Sequence, residues 1–331
     1  MRVFFLFFII GLLLLIPVNA YGQVPEWVKN ISLWWAEGKI SEDEFLSAIK
    51  YLLEQKIIEI KTQEDGELIM NAVLENEWKM HHFKTLLDFR SDMVVLLADT
   101  VEFQAFTIML EMKKYQNIEV DEQLIKDNLV KRFIDFASFD PDIDQIRILD
   151  LTGMEILRIN KENGQYEVVP DGQLQDKSHR YYFHEVLKLK PDEIYISQLD
   201  LNEESGRVEV PHKPTIRMGT KIHDIENNKV GFLIVNYNMQ DFLNRYSSSN
   251  ICNTIMFDED GEVVLHPNRA KMFGKQLGHN FNYYDTHPEI LEIEEQGLDW
   301  FVDAHEQTTY VIHESEPHGS EKYWHIVCEL K

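Results

Sequence analysis

The chain has 331 residues, 44% of them hydrophobic and 11% aromatic, and carries a formal charge of −25 at pH 7. That length allows two or three modules, and that hydrophobic fraction excludes wholesale disorder. A field of that sign repels phosphate backbones, so no nucleic acid partner is expected.

The N-terminus reads MRVFFLFFIIGLLLLIPVNA. Arg2 precedes an apolar run from Phe4 to Ile16, and Val18-Asn19-Ala20 places small residues where a signal peptide is cut. The run falls short of the ~20 residues a bilayer span needs. Residues 1–20 are expected to be a cleaved signal peptide, with an uncleaved anchor as the alternative; both export the remainder, secreted or held at the membrane. In residues 24–60, Trp27, Ile31, Trp34 and Trp35 share one helical face, Gly38 breaks the pattern, and Ser41 with Glu44 forms a capping box. Phe45, Ala48, Ile49, Leu52 and Leu53 mark a second amphipathic helix. The spacing predicts a helical hairpin with a Trp-rich seam, either its own miniature core or a docking surface. The segment resembles a short Trp-containing hairpin near the N-termini of archaeal surface and secreted proteins, which implies no chemistry.

Residues 66–138 read as a helical spine. Between Leu68 and Lys114 there is no Pro or Gly, and Leu74, Trp78, His81 or His82, Leu86, Phe89, Met93 and Leu97 form an apolar stripe. One helix of ~45 residues would span ~65–70 Å and offers a surface for homodimerisation. A further helix is expected from Asp121 to Ala137. After Asp140 the pattern turns to strands: a hairpin over Gln145–Asp150 and Glu155–Ile159, a helix over Lys177–Leu189, then strands at Ile194–Leu201, Thr215–Ile222 and Val230–Tyr237. The order recurs. A hairpin around Asp258-Glu259-Asp260-Gly261 precedes helical and loop segments, and strands follow at Trp300–Ala304, Thr308–His313 and Tyr323–Leu330. This is a weak internal repeat of two α+β lobes, residues 140–246 and 250–331, each with a five-stranded antiparallel sheet.

Cys252 and Cys328 are the only cysteines, to be read as a disulfide or as two buried thiols. The histidine pairs His81/His82 and His179/His184 diverge on their helices, and His279, Asp285 and His287 lie in a polar loop. No metal-ligand spacing appears, and Leu265 and Pro267 spoil a calcium loop at Asp258. No nucleophile elbow, P-loop or GxGxxG occurs. Neither an enzyme nor a cofactor is expected.

The segments QIRILDLTGMEILRIN, DKSHRYYF, EIYISQLDLN, VEVPHKPTIRMGTKIHD and GFLIVNYN, set after a long helix, resemble the membrane-distal lobe of the double Cache family of PAS-like extracytoplasmic sensor domains. The subgroup includes periplasmic sensors of quorum-sensing kinases. The resemblance covers about Leu68 to Leu330 and implies an α+β fold: a long helical spine carrying two PAS-like lobes. A second membrane span and an output domain, usual in that family, are missing, so a membrane receptor or kinase chain is the expected recipient of any signal.

The resemblance also implies a small-ligand site between the distal sheet and the helix-loop segment over it. Amino-acid-binding members carry an Arg, an aromatic pair and a later acid; Arg180, Tyr182 and Phe183 fall on that pattern. Arg180 would hold a carboxylate in bidentate fashion. Tyr182 and Tyr195 would wall the ligand, with Ser197 on the same strand parity as Tyr195. Asp200 would receive an ammonium, and Arg217 would be a second anion contact. Competing readings are a different small ligand, a protein partner at this surface, an Arg–Asp structural ion pair with plain helix packing, or an envelope scaffold that uses hairpin and spine. A PAS-type sheet sets its first and last strands side by side, which brings Cys252 and Cys328 together as a disulfide.

Overall fold

The computed structural model describes residues 31, 34–35, 38–54, 63–112, 121–190, 193–204, 206–224, 228–291, 300–302, 309–315 and 323–330. The expected signal segment and the first turns of the Trp-rich hairpin lie outside the described residues. The chain divides into two compact units, Met1–Leu68 with Ala304–Glu306, and Ile69–Asp303 with Gln307–Lys331.

In the first unit, helix α1 (Glu42–Glu54) begins at Ser41. The Ser41 amide donates to the Glu44 carboxylate (2.8 Å) and the Glu44 amide donates to Ser41 Oγ (3.3 Å), satisfying two of the orphan donors at the helix start. Gly38 adopts a left-handed φ of 68°, which lets the Lys39 amide cap the preceding turn at Trp34 O. Trp35 stacks on Phe45 at 5.1 Å.

The second unit is organised on helix α2 (Gln63–Ala98) from Ile69 onward. The expected single helix to Lys114 is corrected: it breaks at Asp99-Thr100 and resumes as α3 (Val101–Met112), bent by 52°. Thr100 causes the break locally. Its hydroxyl and its amide both turn back to Leu97 O, closing the helix with its own side chain. The bend brings Phe103 onto Phe133 of α4 (Glu122–Phe139), which Asp121 caps through the Leu124 amide.

The phase of the α2 stripe is corrected too. Ala72, Met80, Phe83, Leu87, Val94 and Leu97 are buried, whereas Leu74, Trp78 and Phe89 are exposed. Asn76, Lys79, Arg90 and Ser91 share the buried face. A periodicity argument counts them as polar and shifts the stripe to the wrong flank. Each has a partner: Asn76 donates to Ile326 O, Lys79 to Thr254 Oγ1, Ser91 to Met218 Sδ, and Arg90 holds Asp140 and Asp142.

The first sheet comprises β1 (Ile143–Leu149), β2 (Glu155–Glu162), β3 (Gln165–Val168), β4 (Ile194–Ile196), β5 (Asp200–Leu201), β8 (Pro214–His223) and β9 (Lys229–Asn238), ordered β3-β2-β1-β9-β8-β4 with β5 beside β8. Two of its strands are short edges beyond the five expected. Helix α5 (Tyr181–Lys188) covers one face, and a two-stranded β6 (Glu203–Glu204) and β7 (Arg207–Val208) ribbon stands apart from the sheet. Helix α6 (Gln240–Ser247) leads to the second sheet, which holds β10 (Cys252–Asp258), β11 (Val263–Leu265), β12 (Trp300–Val302), β13 (Thr309–Ser315) and β14 (Trp324–Leu330) in the order β11-β10-β14-β13-β12. The five central strands of the first sheet follow the same order. Between β11 and β12 lie two short helices, α7 (Gly274–Leu277) and α8 (Tyr283–Thr286).

The two sheets share the α2 core. Phe83 packs against Phe242 of α6 at 5.1 Å and edge-on to Trp324 of β14 at 5.8 Å. Cys252 and Cys328, buried on adjacent strands with Cα atoms 5.3 Å apart, are joined as a disulfide.

Candidate functional site

The face of the first sheet under α5 is built by strand alternation. In β1, Ile146 and Ile148 point into the α2 core, which leaves Gln145 and Arg147 on the opposite face. Strand register continues this face in two rows. Arg158, Arg147, Ile234, Gly219 and Tyr195 lie opposite one another across five strands, as do Asn160, Gln145, Asn236 and Arg217 across four. Gly219 is required by packing: a Cβ there would meet Ile234 Cδ1 at 2.6 Å and Val186 Cγ2 of α5 at 2.9 Å. At one end of the face Leu149, Phe232 and Ile234 bury the apolar side of α5 through Tyr182, Phe183 and Val186. At the other end the face is charged.

Two ion-pair systems occupy the charged end. In the first, Arg217, buried to 2% exposure, donates to Asp200 Oδ1 at 2.5 Å and to Asn202 Oδ1 at 3.2 Å, while the Tyr181 hydroxyl donates to Asp200 Oδ2 at 2.6 Å. Burial opposes the Arg217 charge, but Asp200 raises its pKa well above the usual arginine value. Burial and then the Asp200 charge hold the Tyr181 hydroxyl far above its ordinary pKa, so it stays a donor.

The second system is a chain: Arg147–Glu155 (3.3 Å), Glu155–Arg158 (3.5 Å), Arg158–Glu204 (3.2 Å) and Glu204–Lys177 (3.7 Å). Three cations thus share two carboxylates. Burial raises the pKa of Glu204, but Arg147 and Arg158 outweigh it and bring the group down to about 2. Lys177 shows the excess: burial, then Arg147, lowers its ammonium to about 8. Arg147 Nε and Asn236 Oδ1 are buried without a hydrogen-bond partner.

A cavity of about 440 Å³ opens over this end, lined by Gln175, Asp176, Lys177, His179, Arg180 and Glu203. Its floor is positioned by the turn after β1. Gly153 adopts φ 92° and accepts the Lys177 amide at 2.8 Å, and a Cβ on it would lie 2.7 Å from the Ser178 backbone. Arg180 immediately precedes α5, with its guanidinium on the Glu203 carboxylate and 5.8 Å from the Tyr182 ring. Arg217 faces the same ring at 5.3 Å, so the buried Tyr182 lies within cation–π range of both.

Among the expected ligand residues, the structure therefore brings Arg180, Tyr182, Asp200 and Arg217 together. The Asp200 carboxylate is engaged by Arg217 and Tyr181. Ser197, just after β4, accepts the Arg217 amide of β8 at 2.8 Å and donates to Gln198 O, so its hydroxyl is used within the fold. Tyr195 packs with the apolar cluster of α5. Sequence reasoning missed Lys177, Arg147, Arg158, Glu155 and Glu204. The available signal was the polar parity of Gln145 and Arg147 in one strand and Arg158 in the next. Among the described residues no group of three His, Cys, Asp or Glu side chains converges to hold a metal ion. His82 instead meets the Tyr246 hydroxyl at 2.8 Å, and His287 meets Glu289 at 3.3 Å.

The profile of the family described as bacterial histidine kinase, sensor domain, matches residues 108–327, and the chain belongs to that family. A domain from Vibrio parahaemolyticus, described as of the sensory box/GGDEF family, is similar in structure with a TM-score of 0.69 at 16% identity, over 80% of this chain and 97% of that one. The extracellular domain of vpHK1S-Z8, described as a histidine kinase, gives 0.66 at 16% identity over 80% and 91%. The periplasmic sensory domain of the Campylobacter jejuni chemoreceptor Tlp1 gives 0.55 at 12% identity over 80% and 96%. No curated protein matches the sequence. The fold is that of an extracytoplasmic, PAS-like sensor domain of signal-transduction proteins.

Proposed function

We propose that the chain is a non-catalytic sensor that binds a small carboxylate-bearing molecule, of amino-acid size, in the cavity between Lys177 and Arg180. The observation that carries this reading is the excess of positive charge. Three buried cations share two carboxylates, and the one at the cavity wall, Lys177, is held down to about 8 by burial and by Arg147. A ligand carboxylate entering there supplies the missing counter-charge in a desolvated site, where a charge-assisted hydrogen bond is strong. Arg180 is the second anion contact, and Tyr182 stiffens the wall. Arg217 with Asp200, Ser197 and Tyr195 forms the scaffold beneath. The experiment is a thermal-shift and calorimetric screen of amino acids, carboxylates and amines. A carboxylate that raises Tm, with the gain lost in Lys177→Met and Arg180→Ala, supports the assignment. Stabilisation by simple amines, or retention of the gain in both variants, rejects it.

A second reading concerns the outer flank of α2, where Met70, Leu74, Trp78, Phe89 and Leu96 are all exposed. They fall within one side of the helix over about 26 residues, or ~39 Å. A face of that length suits a second copy of the chain, and sedentary monomer behaviour in sedimentation at high concentration would reject it.

A further inference from the structure

The lip of the cavity is tied to the second sheet's lobe by one side chain. Gln276 of α7 accepts the Leu201 amide at 2.5 Å, donates to Leu201 O at 2.9 Å, and donates to Glu203 Oε1 at 3.0 Å. Leu201 belongs to β5, the strand that carries Asp200, and Glu203 opens β6. Glu203 thus divides its carboxylate: Oε2 takes the Arg180 guanidinium at the cavity wall and Oε1 takes Gln276. Burial raises the Glu203 pKa, but the bonds from Gln276 and Arg180 outweigh it, so the group is held as a carboxylate between them.

We propose that Arg180, Glu203 and Gln276 form a latch that couples occupancy of the cavity to the seating of α7 on the first lobe. The proposal rests on the anion-binding reading of the cavity for its trigger, while its mechanical part stands on the three side chains alone. A carboxylate that takes the Arg180 guanidinium competes with Glu203 Oε2. Glu203 then lacks its counter-charge, and its side chain, about a quarter exposed, turns to water. Gln276 loses one of its three bonds across the lobes. Segment 274–278 is held otherwise within its own lobe: the Lys275 amide donates to Glu262, the exposed Lys275 ammonium meets Asp260 at 2.9 Å, and turns run back to Phe273 and Gly274. Such an element has a low local opening free energy and responds first. By reciprocity, weakening Gln276 changes ligand affinity by the same factor that the ligand changes α7 docking.

The test needs no ligand, because Arg180→Ala frees Glu203 as a competing carboxylate would. Hydrogen exchange of the intact chain is measured by mass spectrometry for wild type, Arg180→Ala, Arg180→Lys and Gln276→Ala. The latch requires about fivefold faster exchange over 274–278 in Arg180→Ala, the effect of losing one hydrogen bond. Gln276→Ala should raise exchange at 201–204 and 274–278 together. Arg180→Lys, which keeps the charge on Glu203, should stay near wild type. Unchanged exchange at 274–278 in Arg180→Ala overturns the latch, as does an increase spread equally over β1 and β2, which would mark general loosening. Failure of every carboxylate in the binding screen, with the exchange result intact, instead removes the anion-binding reading and leaves the mechanical coupling in place.

Discussion

The buried pair of Arg217 and Asp200 is the sharpest test of how the first lobe is held. The two side chains are 2% and 8% exposed and meet at 2.5 Å. Unit charges with centres ~4 Å apart attract by ~4 kcal/mol at an effective dielectric constant of 20. Removing one partner strands the other charge, which costs ~3–5 kcal/mol in buried pairs. Asp200→Asn should fall at the low end, because Tyr181 and Asn202 still contact the site. Arg217→Met should fall at the high end. For the second compact unit, at the large end of the range where 1 kcal/mol shifts Tm by about 2–4 °C, that corresponds to a fall in Tm of roughly 6–20 °C. The double variant Asp200→Asn/Arg217→Met removes both charges at once and should cost ~4–6 kcal/mol, less than the sum of the two singles, giving a coupling of ~2–4 kcal/mol. Urea titration and thermal melts of wild type, both singles and the double close the cycle. Singles within ~1 kcal/mol of wild type, or losses that simply add, would refute the claim that the pair acts as one desolvated unit.

Carboxylate affinity should fall as pH rises through about 8, because Lys177 is charged only below that value; calorimetry of a screened ligand at pH 7 and 9 reads it, and a flat profile would remove Lys177 from the site. The same depressed ammonium pKa predicts a stability that rises from pH about 8 toward the lysine reference of 10.5, where the unfolded chain holds the proton that the folded one has lost. Glu204 gives the same slope, stability rising with pH, in an acid window. Its pKa is lowered from 4.5 to about 2, so its contribution is full above about 4.5 and disappears as pH falls through about 2, to be seen as acid lability that Glu204→Gln lacks. Gly153→Ala should cost at least ~1–3 kcal/mol, since the left-handed φ and the Ser178 contact both exclude a Cβ. Its anion affinity should fall with stability, because the Lys177 amide hangs on that turn. Reducing the Cys252–Cys328 bridge, with a separation of 76 residues, should lower stability by ~4 kcal/mol in the loop-entropy model, measured as a Tm shift with and without reductant.

The sheets were legible because strand alternation and turn residues act locally. The hairpin Gln145–Ile159 and the long strands before Ile222 and Tyr237 follow from the order of side chains alone, and so does the recurrence of the pattern after Cys252. The spine was legible as helix but not in its detail. Nothing in the apolar period reveals that Thr100 bonds its own preceding turn, or that Lys79 and Arg90 face inward because partners wait for them on other elements. The site was half legible for the same reason. Arg180, Tyr182, Asp200 and Arg217 stand out by residue type near a helix start and a strand end. Lys177, Arg147 and Arg158 acquire meaning only from register, which sets Arg147 opposite Arg158 and lets Glu155 and Glu204 gather them. Pairing partners far apart in sequence, such as Glu203 with Gln276, lie beyond any local pattern.

The net charge of −25 opposes the proposed anion site at long range, and distance resolves the conflict. At physiological salt the Debye length is ~8 Å, so carboxylates scattered over the surface are largely screened at the cavity. The buried chain from Arg147 to Lys177 is not screened, because water is excluded from it. On the proposed assignment a ligand carboxylate would therefore meet a weak repulsion outside and a strong attraction within. On the proposed assignment the same arrangement would select small anions over polyanions: a molecule confined to the cavity lies beside Lys177 and Arg180 with Asp176 and Glu203 as the acids on its wall, whereas one that extends beyond it lies against the acidic exterior. Selectivity by size thus follows from where the charges are buried rather than from their sum.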